Sequence, residues 1–107
     1  MGERNEYGIR LTLKAKMDLR DLHAYIEQAS QAPETADHLL DRIIAAIESL
    51  AHMPRRNALL RDAGLLQRRM RREVVGNYLV FYTIHEKDKH VLVVRVLYNR
   101  RDWAHLL

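Results

Sequence analysis

Cysteine is absent from the 107 residues of this sequence, which excludes disulfides, thiolate metal sites and cysteine nucleophiles. No apolar run approaches the roughly 20 residues that a membrane-spanning helix needs. The polar residues 1–6 lack the apolar core of a secretory signal. The six histidines are scattered, without the spacing of metal ligands beside acidic residues. These absences predict a soluble, cytoplasmic protein that binds no membrane, no metal and no other cofactor.

Proline and glycine are scarce as well, with two and four residues, and they form no linker. The chain has no internal repeat and no low-complexity stretch, so residues 1–107 are predicted to form a single domain. Hydrophobic residues make up 48% of the sequence, which suffices to form a core without disulfide bonds or other cross-links.

The positive charge is concentrated in the second half of the chain. Residues 1–53 contain six Lys/Arg and nine Asp/Glu, a net charge of −3, whereas residues 54–107 contain twelve and five, a net charge of +7. Seven of these basic residues are arginines between positions 55 and 72. The asymmetry predicts a positive face for a polyanion or an acidic protein partner. The alternative is a charged surface that only keeps the protein soluble.

Hydrophobic periodicity predicts one strand followed by two helices in the first half of the chain. Alternation over residues 7–13 indicates a strand with Ile9, Leu11 and Leu13 on its covered side. Helical spacing then indicates a helix that stops at Ser30. A second helix is predicted from Pro33 to the region before the next proline, and the short connection makes the two helices a hairpin.

The second half is predicted to be a sheet. Strands are expected at residues 65–75, 78–84 and 91–97, and the last of these lies in the middle of the sheet because residues 91–94 are apolar without alternation. The order β-α-α-β-β-β predicts an α+β fold in which an antiparallel sheet packs on a helical hairpin.

Three segments of the sequence resemble ParE-type toxins of the RelE/ParE superfamily. Residues 70–82 (MRREVVGNYLVFY) are similar to the hairpin of these toxins, residues 94–103 (VRVLYNRRDW) to their ending, and residues 14–26 to their opening helix. The motifs occur in the same order and cover nearly the whole chain. The sequence is therefore identified as a member of this superfamily, closest to the ParE branch of plasmid stabilisation proteins.

The resemblance implies the toxin of a type II toxin–antitoxin module, which arrests growth unless a cognate antitoxin neutralises it. The ParE branch is associated with inhibition of DNA gyrase, and the RelE branch with cleavage of mRNA in the ribosome. The module would contact operator DNA only through the antitoxin, and both a homodimer and a heterotetramer with the antitoxin stay open. A further alternative is a co-repressor or degenerate toxin that acts only with its antitoxin. Fold alone does not decide among these functions.

Two departures from the RelE pattern favour binding over catalysis. RelE-like toxins carry an arginine directly after the tyrosine of the second hairpin strand, where this sequence has Leu79. This change removes a charge-assisted contact to phosphate. Trp103 stands where a RelE-like tyrosine is expected, and indole is neither an acid nor a base at neutral pH. In a ribonuclease, Arg71, Arg101 and Tyr98 would be the reacting set.

Contacts with the target or the antitoxin are predicted mainly for arginines, which suit bidentate recognition of phosphate or carboxylate. Arg69 and Arg71 would share one face of a strand and Arg68 and Arg72 the other, so the arginines do not form a single patch. For each of them, surface charge alone is the alternative, and Trp103 would either contact the target or cap the helix pair. The predicted binding residues are Arg69, Arg71, Arg95, Arg100, Arg101 and Trp103.

Apolar residues divide between the core and a second candidate contact surface. Tyr78, Phe81 and Tyr82 lie in the middle of a predicted strand, which favours core packing over stacking on bases. Ile44 and Ala51 are candidates for outward apolar contacts with the antitoxin, with core packing as the equal alternative.

Overall fold

The computed structural model describes residues 6–30, 33–62, 64–99 and 103–107, and among these it has the predicted order of elements. Short 3-10 helices lie at Pro54–Arg56 and Trp103–His105. The strands and helices are β1 (Gly8–Leu11), α1 (Leu13–Ser30), α2 (Pro33–Ser49), β2 (Arg71–Val75), β3 (Tyr78–His85) and β4 (His90–Tyr98). The predicted α+β fold is therefore confirmed.

The four strands form one sheet in the order β1-β4-β3-β2. The predicted antiparallel meander of β2, β3 and β4 is confirmed, as is the central position of β4. One part of the prediction needs correction, because β1 pairs with β4 in parallel and the sheet is mixed. A parallel pairing needs a crossover connection, and the helix pair lies in the chain between β1 and the meander.

The first strand is shorter than predicted because Thr12 starts a helix. Its hydroxyl oxygen accepts a hydrogen bond from the Ala15 N–H at 3.0 Å, and the hydroxyl donates to the Val94 carbonyl at 2.7 Å. Such a residue satisfies an N–H that the first helical turn leaves unpaired. Leu13 therefore lies in the first turn of α1 and is 73% exposed, so its predicted place on the covered side of a strand is wrong.

The two helices cover one face of the sheet, which we call the inner face. Ile43, Ile47 and Leu50 of the α2 region pack there against Val80 and Tyr82 of β3. Ile43, Ile47 and Leu50 are four and three positions apart, so they share one side of the helix. The core is thus a helix layer on a sheet layer. None of the helices in the described part of the chain is long and apolar enough to cross a membrane.

The other face of the sheet, the outer face, has a second apolar cluster. Leu65, Met70, Leu79, Phe81 and Leu97 are buried in it. The strand predicted over residues 65–75 is correct only for Arg71–Val75, because residues 64–69 form turns. These turns place Leu65 and Met70 against the sheet, where their burial outweighs the strand-like pattern of the segment. The C-terminal side chains of Trp103, Leu106 and Leu107 pack against this cluster.

A bulge in β4 decides which of its side chains reach each face. Phe81 pairs with Arg95 and Tyr82 with Val93, which leaves Val94 without a partner in the register. An extra residue of this kind reverses the alternation of the strand beyond it. Val93 and Val96 both belong to the inner cluster for this reason, and Arg95 turns away from it.

Candidate functional site

The arginine-rich segment divides between the two faces of the sheet. Arg69 and Arg71 line one small cavity, together with Ile84, which packs against the inner cluster. On the outer face, Arg68 donates a hydrogen bond to the Leu107 carbonyl at 2.6 Å. The predicted division of the arginines into two sets is confirmed, although only part of the segment is a strand.

The centre of the outer face is apolar. Leu79, which stands at the position of the RelE-like arginine, is 5% exposed and packs in the same cluster as Phe81. The Trp103 ring lies 5.1 Å from the Phe81 ring, measured between centroids. Trp103 therefore does not cap the helix pair, since it lies on the opposite side of the sheet. This surface offers no guanidinium at residue 79 for a phosphate.

Arg72 is a candidate contact residue that the sequence reasoning left out of the binding set. Its guanidinium carbon lies 5.8 Å from the centroid of the Trp103 ring, within reach of a cation–π interaction. Its position on the strand could have revealed this role from the sequence. Arg72 pairs with Phe81 and therefore lies on the outer face. Arg100 and Arg101, which precede Trp103 in the sequence, lie outside the described residues.

The reacting set expected of a ribonuclease is not assembled by its described members. Arg71 pairs with Tyr82, whereas Tyr98 pairs with Tyr78 near the other end of β2 and β3. Strand geometry separates the two positions by roughly 13 Å along the strands and about 10 Å across them. The Arg71 guanidinium donates instead to the Asn57 carbonyl. No group of three or more potential metal ligands occurs among the described residues either.

Arg95, predicted as a binding residue, has its donors committed inside the domain. It forms a two-pronged pair with the Asp18 carboxylate, with N–O distances of 2.7 and 2.9 Å, and donates to the Leu106 carbonyl at 3.0 Å. The Asp18 carboxylate also accepts the Val96 N–H at 2.9 Å. Hydrogen bonding to Asp18 raises the pKa of Arg95. This arrangement joins α1, β4 and the C-terminal segment.

A groove of about 480 Å³ lies between α1 and the ends of β3 and β4. Tyr25, Tyr78 and Tyr98 line it together with Asp21, and the Tyr78 and Tyr98 rings meet edge to face at 5.4 Å. Burial raises the pKa of Tyr78 above its usual value. None of the described residues that line the groove is cationic, so this part of it suits a protein side chain better than a phosphate. Tyr78 is thus only partly a core residue.

The two apolar helix candidates have different environments. Ile44 of α2 is 38% exposed and remains available for a contact. Ala51 is buried beyond the end of α2, and its carbonyl accepts the Tyr7 N–H at 2.9 Å. Of the two alternatives for Ala51, core packing is therefore confirmed and the outward contact is wrong, because the chain has left the helix before this residue.

Comparison with known proteins matches this sequence to one family. A family model described as the ParE toxin of the type II toxin–antitoxin system parDE matches residues 9–103. The chain belongs to the ParE toxin family. The match includes β1 from Ile9 onward, both helices and the meander, as well as Trp103 on the outer face. No significant match is found among curated protein sequences.

Solved structures with the same fold come from both branches of the superfamily. A chain of the chromosomal ParDE system from P. aeruginosa superposes with a TM-score of 0.70 at 15% identity, covering 89% of this chain and 98% of that one. A chain of the RelBE2 toxin–antitoxin complex from Mycobacterium tuberculosis gives 0.64 at 22% identity, covering 87% and 98%. The archaeal RelE–RelB complex from Pyrococcus horikoshii OT3 gives 0.61 at 16% identity, covering 90% and 98%. These similarities establish the ParE- and RelE-like fold.

Proposed function

We propose that this ParE-family toxin inhibits DNA gyrase by binding it, and that a cognate antitoxin neutralises it. The observation that carries the proposal is the buried Leu79 in the middle of the outer face. A metal-free ribonuclease stabilises the developing charge on phosphorus with preorganised cations. The apolar side chain of Leu79 supplies no such charge. The separation of Arg71 from Tyr98 is a second reason to disfavour a ribonuclease.

The proposed target surface is the outer face around Trp103. Aromatic and arginine side chains are the residues that carry most binding energy in protein interfaces, and Arg72 lies beside the Trp103 ring. Arg100 and Arg101 are assigned to the same contact on the strength of their resemblance to the ParE ending. An acidic surface on the target would complement these cations.

The proposed antitoxin contact is on the helix side of the molecule. Ile44 on α2 and Tyr25 on α1 have exposed side chains there. Tyr25 also lines the groove between α1 and the ends of β3 and β4. Exposed apolar side chains beside a groove are typical of surfaces that bind a helix. The similar solved structures are of a ParDE toxin–antitoxin system and a RelBE2 toxin–antitoxin complex, which supports a protein partner of this kind.

The test compares two activities of the purified full chain. We expect inhibition of supercoiling by purified gyrase, relieved by the co-encoded antitoxin, and no cleavage of mRNA on purified ribosomes. Arg101→Ala and Arg72→Ala should each weaken inhibition by roughly ten-fold, the effect of losing one charge-assisted contact. Lys87→Ala is the matched control, since it removes one exposed positive charge from the β3–β4 turn.

Three results would contradict the proposal. Ribosome-dependent cleavage of mRNA would assign the chain to the ribonuclease alternative. Inhibition that Lys87→Ala weakens as much as Arg101→Ala would indicate nonspecific charge attraction. Absence of both activities and of growth arrest on expression without the antitoxin would favour the co-repressor or degenerate-toxin alternative.

A further inference from the structure

A small cavity on the inner side of the sheet is lined by three arginines from three different segments. Arg55 comes from the 3-10 helix Pro54–Arg56, Arg69 from the turn before β2, and Arg71 from β2 itself. The cavity has a volume of about 100 Å³, the space of about three water molecules in the liquid. It therefore has room for one compact group.

The charges around this cavity do not cancel. Among the described residues of its lining, Glu86 is the one acidic residue beside the three arginines, so these four charged groups sum to +2. The Glu86 carboxylate is already engaged, because it pairs with Arg55 and accepts the Tyr7 hydroxyl at 2.9 and 3.1 Å. Hydrogen bonding to Tyr7 and Arg55 lowers the pKa of Glu86. Its negative charge is thus largely balanced before any ligand arrives.

Donors remain for a ligand on two of the arginines. Arg71 donates to the Asn57 carbonyl through Nη1 alone, and a guanidinium has five N–H donors. The backbone N–H of Arg69 donates to the Leu66 carbonyl at 2.9 Å, but the guanidinium of Arg69 has no hydrogen bond or ion pair with another residue in the described part of the chain. Its backbone has a positive φ of 57°, a conformation that costs energy for a residue other than glycine. The turn nevertheless places this side chain in the cavity lining.

We propose that this cavity binds a phosphate group. Free guanidinium donors on Arg69 and Arg71, with the positive charge of Arg55 beside them, match the several oxygens of a tetrahedral oxyanion better than the single plane of a carboxylate. Two excess positive charges match a phosphate dianion. Ile84 and Leu59 form apolar walls of the same cavity, and a less polar surrounding strengthens the attraction between opposite charges.

The site is separate from the proposed gyrase contact. Arg69 and Arg71 lie on the inner side of the sheet, whereas Trp103 and Arg72 lie on the outer face. Loss of phosphate binding and loss of gyrase inhibition are therefore distinguishable by mutation. The phosphate group belongs either to a free phosphate compound or to the backbone of a nucleic acid, and the chemistry of the site is shared by both.

The experiment is a titration of the full chain with inorganic phosphate. Binding is measured by the NMR chemical shifts of the arginine side chains and by calorimetry. We expect saturable binding to the wild-type chain, weakened at least ten-fold in Arg69→Gln. Arg61→Gln is the matched control, since Arg61 is exposed, precedes the same turns and carries the same charge. Circular dichroism confirms that each variant is folded.

The outcomes separate the sources of the phosphate and the alternatives. Arg69-dependent binding of inorganic phosphate without binding of a short DNA duplex supports a free phosphate ligand, and Arg69-dependent binding of both supports a nucleic-acid backbone. Equal weakening by Arg61→Gln and Arg69→Gln would overturn the site in favour of general charge attraction. The proposal would also be overturned if neither inorganic phosphate nor the DNA duplex binds, even if an acidic peptide binds at the cavity instead.

Discussion

Replacing Asp18 with alanine removes the partner of a guanidinium that is almost enclosed by the domain. The side chains of Arg95 and Asp18 are 14% and 13% exposed, so water has little access to the Arg95 charge that the substitution leaves unpaired. Removing one partner of a buried pair costs about 3–5 kcal/mol. The Val96 N–H, which has Asp18 as its acceptor, loses a further contribution of about 1 kcal/mol.

We expect a loss of about 3 kcal/mol in the free energy of unfolding. The lower end of the range applies because Arg95 keeps its bond to the Leu106 carbonyl and retains some contact with water. A domain of this size has a total stability of about 5–15 kcal/mol. The loss therefore corresponds to a decrease in Tm on the order of 10–20 °C.

Urea denaturation followed by circular dichroism measures this effect. Asp21→Ala is the matched control, because Asp21 lies one turn further along α1 and is exposed, where substitutions change stability by about 0.5 kcal/mol or less. The double variant Asp18→Leu/Arg95→Met should recover part of the loss, since it leaves no unpaired charge. A loss in Asp18→Ala no larger than in Asp21→Ala would refute the structural role of the pair and return Arg95 to the candidate binding residues.

Three further predictions address the outer face and the β3–β4 hairpin. Leu79→Arg should destabilise the fold by roughly 3 kcal/mol or more, because it places a guanidinium in an apolar cluster. Cleavage of mRNA by this variant on ribosomes would contradict the assignment of residue 79 to packing. Trp103→Ala should cost about 2 kcal/mol in urea denaturation through lost contact with Phe81 and Arg72, and an equal cost for Trp103→Phe would show that the ring contact is not the cause. Burial lowers the pKa of His90 from its usual 6.5, with smaller contributions from nearby positive groups. The unfolded chain therefore binds the proton first, and stability is full above about pH 6.5 and decreases below it. His90→Phe should flatten this decrease in urea midpoints, and an unchanged pH slope would rule the histidine out.

Much of the fold was predictable from local patterns, whereas the site was only partly so. The period of the apolar residues identified both helices and the β3–β4 hairpin. Two errors occurred at Leu13 and at residues 65–70, where a helix cap and a packed turn override a strand-like pattern. The parallel pairing of β1 with β4 and the burial of Ala51 depend on distant contacts, and local patterns did not predict them. The departure at Leu79 was visible in the sequence, but its burial against Phe81 was not.

The sequence by itself determined the order of the elements, the central place of β4 and the resemblance to ParE toxins. These properties are encoded within short windows, because side-chain periodicity and turn chemistry act over a few residues. The tertiary structure alone decided which arginines are committed and which remain available. Arg95 is paired with a carboxylate 77 positions away, and Arg69 and Arg71 meet Arg55 only because the turns fold that segment onto β2. Charges so distant in sequence are brought together by packing, and no local pattern records their distance.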